Sequence, residues 1–193
     1  MKIGLFFGSF NPIHVGHLFV AEIALERAEL DEVWFVISPA SPYKMDTGEL
    51  ADERSRLIMA LNAIEYNSKL KISNLEFSLP YPSYTSVSLE EFKRLYPEDS
   101  FSLICGTDVY VDIPNWKFGQ EVIDAIDFIV YPRSSATTYS PEEMKDKTLW
   151  LDSVPTLEIS STYIRNQIKN NKTTMHILPE KVKEYITANN LYK

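Results

Sequence analysis

Cysteine is almost absent from this chain: among 193 residues there is only Cys105, which excludes an internal disulfide framework. It stands in the apolar run Phe101-Ser102-Leu103-Ile104-Cys105, the setting of a buried strand thiol rather than of a nucleophile. No run approaches the ~20 apolar residues of a membrane-spanning helix. The opening Met1-Lys2-Ile3-Gly4-Leu5-Phe6-Phe7-Gly8 is too short an apolar stretch for a signal peptide and ends in a turn. Basic residues are outnumbered 19 to 27, for a net charge of −8 and a pI near 4.9. Binding of a long nucleic acid depends on neutralising phosphates, so a nucleic acid polymer is not expected as a partner. An anionic small molecule must instead find a local pocket of donors. Internal repeats and low-complexity tracts are also missing. A cytoplasmic protein with no membrane partner is expected, its charge compatible with a monomer or a dimer.

What remains is an ordinary globular composition, 45% hydrophobic and 24% charged, enough for one core spanning residues 1–193 as a single domain. Apolar runs of strand length alternate with segments of helical period, the pattern of a doubly wound α/β fold with a parallel sheet. Ile3 to Phe7 and Val33 to Ile37 read as strands. Phe19, Val20, Ile23 and Ala24 form the apolar stripe of the helix between them, opposite Glu22, Glu26 and Glu29. A second helix follows Asp52, a candidate N-cap, with Leu57, Ile58, Leu61 and Ile64 as its apolar face. Further strands are expected near Leu70 to Leu75, Phe101 to Cys105 and Phe128 to Tyr131. Leu89, Phe92 and Tyr96 mark a helix, as do Ile164 and Ile168 after a Ser160 or Ser161 cap, and Val182, Tyr185 and Ile186 after Pro179. Pro39 to Ala51 and Arg133 to Asp146 have the composition of long loops, which are often functional lids. Ligands of open α/β sheets bind beyond the carboxyl ends of the strands, so the loops after Phe7, Ile37, Cys105 and Tyr131 are expected to share one cleft.

Between the first strand and the first helix lies Gly8-Ser9-Phe10-Asn11-Pro12-Ile13-His14-Val15-Gly16-His17. Gly8 allows the backbone to approach a phosphate, and the amides that follow at the helix N-terminus offer donors and the positive end of a dipole. His14 and His17 are three apart and can lean toward one point, with Gly16 leaving space for a substrate. This segment resembles the HxGH signature of the nucleotidyltransferase superfamily, and Ile159-Ser160-Ser161-Thr162-Tyr163-Ile164-Arg165 resembles its second signature, ISSTxxR. Both in this order on an α/β chain form a specific combination. Pro42-Tyr43-Lys44, Ser83-Tyr84-Thr85, Gly106-Thr107-Asp108 and Pro114-Asn115-Trp116 extend the resemblance to the bacterial nicotinate mononucleotide adenylyltransferase family. Phe7, Asn11 and Tyr43 depart from the pattern, standing where that family usually has Gly, Asp and His.

The resemblance implies a Rossmann-like nucleotidyltransferase fold and adenylyl transfer from ATP to nicotinate mononucleotide, a step of NAD biosynthesis. It implies His14, His17 and Arg165 as catalytic residues. ATP would be bound by Gly8, Ser9, Phe10, His17, Gly106, Asp108, Ser161, Thr162 and Arg165, and the mononucleotide by Lys44, Thr85 and Trp116. Mg²⁺ is expected on the ATP phosphates, with no protein metal ligand named. The residues alone leave other roles open: a surface ion pair for Arg165, a solvated loop side chain for Lys44, a helix cap for Asp108 or Thr85. Another phosphate acceptor, such as nicotinamide mononucleotide or phosphopantetheine, or a non-catalytic nucleotide-binding module, remains as the alternative.

Overall fold

The computed structural model describes residues 1–39, 50–133, 142–174 and 176–193. Lys44 and Tyr43, and most of the two long loops, lie outside the described residues. The chain runs through β1 (Lys2–Gly8), α1 (Val15–Arg27), β2 (Glu32–Ile37), α2 (Glu53–Ile64), β3 (Leu70–Ser73), a 3-10 turn (Leu75–Ser78) and α3 (Thr85–Leu95). It continues with β4 (Ser100–Gly106), a short α4 (Thr107–Tyr110), α5 (Gly119–Ala125), β5 (Asp127–Tyr131), β6 (Thr148–Trp150), α6 (Ser161–Lys169) and α7 (Glu180–Ala188). The strands form one sheet in the order β3-β2-β1-β4-β5-β6, every pair parallel. The order reverses between β1 and β4, and the carboxyl end of that seam is where a doubly wound sheet opens a crevice. Among the described residues no helix is long and apolar enough to cross a membrane.

Side chains alternate along each buried strand and so feed two cores. Val33, Phe35 and Ile37 of β2, with Ile104, Ile129 and Tyr131, join α1, α2, α6 and α7 on one face. Ile3, Leu5, Leu103, Cys105, Phe128 and Val130 join α3, α4 and α5 on the other. Cys105 is fully enclosed, and burial pushes its thiol pKa far up, consistent with a packing role.

Three expectations need correction. The inward face of α2 is Ser55, Arg56, Met59 and Ala60, while Leu61 is exposed. The apolar stripe misleads because two polar residues find buried partners: Ser55 Oγ meets Tyr185 Oη at 3.3 Å, and the Arg56 guanidinium donates to four backbone carbonyls. Tyr96 is the C-cap of α3 rather than one of its helical residues, and though partly exposed it meets Trp34 edge-on at 5.0 Å. The sixth strand was not foreseen, because three residues are too few to show a period. Asp52 does cap α2, accepting from the Ser55 amide at 2.9 Å, and Ser160 caps α6, accepting from the Tyr163 amide at 3.1 Å.

Candidate active site

The turn after β1 brings the two histidines together. Their rings stack with centroids 3.7 Å apart, and the His14 backbone N–H donates to His17 Nδ1 at 3.2 Å. Accepting at Nδ1 leaves Nε2 as the nitrogen of His17 that carries hydrogen. His14 is buried, and among the described residues its Nδ1 has no hydrogen-bond partner. Burial, with a smaller push from the Arg133 charge, lowers its pKa to about 4, so the ring is neutral at neutral pH. Gly16 makes room for this ring: a Cβ there would stand 3.0 Å from His14 Nδ1. The space the sequence reserves at Gly16 thus belongs first to histidine.

Gly8 plays a similar part, since a Cβ would stand 3.0–3.2 Å from the Phe10 ring. Phe10 is only 3% exposed and packs edge-on against Phe6 and Phe35. Its φ of 43° is left-handed, a strained geometry for a bulky residue. Only the main chain of Phe10 remains to face a nucleotide. The amides of α1 are a further correction: Val15 N–H already donates to Ile177 O, and His17 N–H to the His14 carbonyl. The donors expected at this helix end are therefore largely engaged.

The start of α6 closes on the same turn. Ser161 Oγ donates to the Pro12 carbonyl at 2.9 Å, and Arg165 Nη1 donates to the Asn11 carbonyl at 3.0 Å. Two segments about 150 residues apart are thereby joined, and Arg165 is half-buried at their junction. The Ser161 hydroxyl proton is taken up by Pro12, so what α6 offers an anion is the backbone N–H of Ser161 and Thr162, which have no intrahelical acceptor. Thr162 is exposed, its hydroxyl 3.4 Å from Arg165 Nη2.

At the ends of β4 and β5, Gly106 lets two side chains close over the backbone: a Cβ would lie 2.4 Å from Asp108 Oδ1 and 3.0 Å from Arg133 Nε, so both would have to shift. Asp108 is the second residue of α4, whose N-cap is Gly106, so the cap reading falls. Its half-exposed carboxylate lies 3.6 Å from Arg133 Nε. Thr85 likewise is not a cap but the first residue of α3, after the N-cap Tyr84, and no acidic residue stands in that first turn. Trp116 is half-buried against the second core, its indole N–H donating to Asp112 at 3.2 Å. Tyr84 and Phe118 meet edge-on at 5.2 Å, with Lys117 over the Tyr84 ring at 4.7 Å. The Thr85 and Trp116 segments are thus neighbours, while Lys44 falls outside the described residues.

Sequence reasoning missed several residues here. Arg133 stands just past β5, where site residues of such sheets gather, and that position was its available signal. Asn11 is buried, its Oδ1 accepting from the Ala51 amide at 3.0 Å and the Tyr192 hydroxyl at 2.7 Å. The Tyr192 contact spans the chain and left no trace in local pattern. Among the described residues no three His, Cys, Asp or Glu side chains gather as a metal site.

The chain as a whole is similar to known proteins. A cytidylyltransferase-like family model matches residues 5–167. A probable nicotinate-nucleotide adenylyltransferase of Flavobacterium johnsoniae is 44% identical over 193 residues, all of both chains. The nicotinate-nucleotide adenylyltransferase of Bacillus subtilis is 36% identical over 192 residues, covering 100% of this chain and 98% of its own. The fold is also that of Plasmodium falciparum nicotinic acid mononucleotide adenylyltransferase complexed with NaAD, with a TM-score of 0.80 at 23% identity, covering 99% of this chain and 97% of that one. With family model, full-length relatives and fold in agreement, the chain belongs to the cytidylyltransferase-like family, among its nicotinate-nucleotide adenylyltransferases.

Proposed function

We propose that the chain, working over residues 1–193 as one nucleotidyltransferase domain in the cytoplasm, transfers the adenylyl group of ATP to nicotinate mononucleotide. The products are nicotinate adenine dinucleotide and pyrophosphate, a step of NAD biosynthesis. The observation that carries this reading is the junction of the His14–His17 turn with the start of α6, through Ser161 to Pro12 and Arg165 to Asn11. It gathers imidazoles, a guanidinium and helix amides beyond the carboxyl end of the sheet.

A phosphate oxygen of the mononucleotide attacks the α-phosphorus of ATP; a new P–O bond forms as the bond to the β-phosphate oxygen breaks and pyrophosphate leaves. The nucleophile is already anionic, so no general base is required, and catalysis reduces to positioning and charge stabilisation. His17, donating from Nε2, stabilises the charge that grows on the α-phosphate. His14, kept neutral by burial, acts as a hydrogen-bonding dipole rather than a cation. Arg165, aligned by the Asn11 carbonyl, and the Ser161 and Thr162 amides hold the β- and γ-phosphates. Gly8, Ser9 and Phe10 border the triphosphate with main chain, and Gly106 and Asp108 the adenosine. Mg²⁺ enters as MgATP, its ligands mostly phosphate oxygens and water, and offsets the charge of the leaving group.

For the acceptor, Trp116 offers a stacking face, Lys44 a charge for its phosphate, and Thr85 the first-turn N–H of α3 for the nicotinate carboxylate. An amide would leave at least one such donor unpaired, which costs about 1–3 kcal/mol. We expect kcat/KM for nicotinate mononucleotide to exceed that for nicotinamide mononucleotide by about tenfold to a few hundredfold. Pyrophosphate release with ATP, Mg²⁺ and nicotinate mononucleotide, nicotinamide mononucleotide or phosphopantetheine tests this. Equal rates for acid and amide would overturn the acceptor, and no release with any of them would overturn the enzyme.

A further inference from the structure

Glu76 takes no part in the reaction above, yet it is a buried carboxylate, 3% exposed, on the 3-10 turn after β3. It accepts from Ser88 Oγ at 2.6 Å and Ser83 Oγ at 3.3 Å, and the Ser38 hydroxyl is a third donor. Burial raises its pKa and these three hydroxyls oppose the rise; no cation among the described residues contributes. Hydroxyls compensate a buried charge less well than a cation does, so this group is a poor choice for stability alone. What the carboxylate secures is geometry. Ser38 leaves the carboxyl end of β2, Ser83 precedes Tyr84 and Thr85, and Ser88 lies in the first turns of α3.

The contacts continue on the other side of Ser38. Its carbonyl accepts from Arg56 Nη1 at 2.5 Å, and the same nitrogen donates to the Ser9 carbonyl at 3.0 Å. Arg56 also holds the Pro39 and Ala51 carbonyls at 2.6 and 3.0 Å. One chain of buried polar contacts therefore runs from the turn after β1, through Arg56, Ser38 and Glu76, to the start of α3. It links the segment that borders the triphosphate with the segment that faces the acceptor.

We infer that Glu76 is a positioning residue for the acceptor: through Ser83 and Ser88 it sets where the first-turn amides of α3 stand, and through Ser38 it registers them against the phosphate turn. This rests on the adenylyl-transfer reading above. The test is steady-state kinetics of the parent and of Glu76→Gln, Ser83→Ala and Ser88→Ala, each substrate varied in turn. Ser78→Ala serves as a control, because among the described residues its hydroxyl bonds only the Leu75 carbonyl of the same 3-10 turn. Losing a buried hydrogen bond to a charge corresponds to about a tenfold change. We expect KM for nicotinate mononucleotide to rise about tenfold in Glu76→Gln and several-fold in Ser83→Ala, with KM for ATP within twofold of the parent. Ser78→Ala is expected to keep both. An unchanged acceptor KM, or parallel rises for both substrates, would overturn the inference; should Glu76→Gln not fold, the serine variants decide. A parent that does not use nicotinate mononucleotide at all would remove the functional reading and this assignment with it.

Discussion

Lowering the pH from 7 to 5 should unfold this protein more readily, and His14 supplies a calculable share of the effect. An imidazole titrates near 6.5 in the unfolded chain, whereas burial and the Arg133 charge lower that of His14 to about 4. Between those values the unfolded chain binds more protons than the folded one, so stability rises with pH through that window and is flat above it. Read downward, the contribution is complete above pH 6.5 and is lost progressively as the pH falls toward 4. The full span corresponds to about 3 kcal/mol, of which roughly 2 kcal/mol disappears between pH 7 and pH 5. His14→Asn removes the titration and keeps a polar atom near the site of Nδ1. Urea unfolding of parent and variant at both pH values isolates the term, because Glu76, whose raised pKa works in the opposite direction, is common to both. The parent should lose about 2 kcal/mol more than the variant. Parallel losses would refute the argument, and a titration of the His14 ring near 6.5 by NMR would refute its cause.

His17→Ala should lower kcat by about 10² to 10³ while moving KM for ATP little, since its donor acts on charge that appears in the transition state; a rate within a few-fold of the parent removes it from the mechanism. Gly16→Ala would put a Cβ 3.0 Å from His14 Nδ1, and the ring must shift by a few tenths of an ångström. Turnover should fall several-fold with the fold intact by circular dichroism, and full activity would show that the ring position is not critical. Trp116→Ala should weaken the mononucleotide by about 1–3 kcal/mol, the worth of a base stacked on an aromatic ring, with ATP binding nearly unchanged. Calorimetric titration of each ligand checks this, and equal losses would assign Trp116 to packing.

Local pattern carried the fold a long way. Strand β1, helix α1 and strand β2 were legible because two short continuous apolar runs flank a segment of helical period within forty residues, and the Asp52 and Ser160 caps because their side chains bond only a few residues away. The histidine pair was legible for the same reason: three residues along a helix start bring two rings to one side, whatever surrounds them. The buried face of α2 was not, because Arg56 is polar by composition and becomes an inward residue only when Ser9, Ser38, Pro39 and Ala51 converge on it. Nor was the engagement of the α1 amides, the Ser161 proton or the neutrality of His14, each of which depends on a partner or an enclosure supplied by distant chain. Residue identity and short-range period are properties of the chain itself, and they set the elements and the chemical inventory. Burial, hydrogen-bond partnership and charge state belong to the packed assembly, where Pro12 meets Ser161, Asn11 meets Tyr192 and Glu76 meets Ser83, because desolvation and partner distance exist only once those segments are in contact.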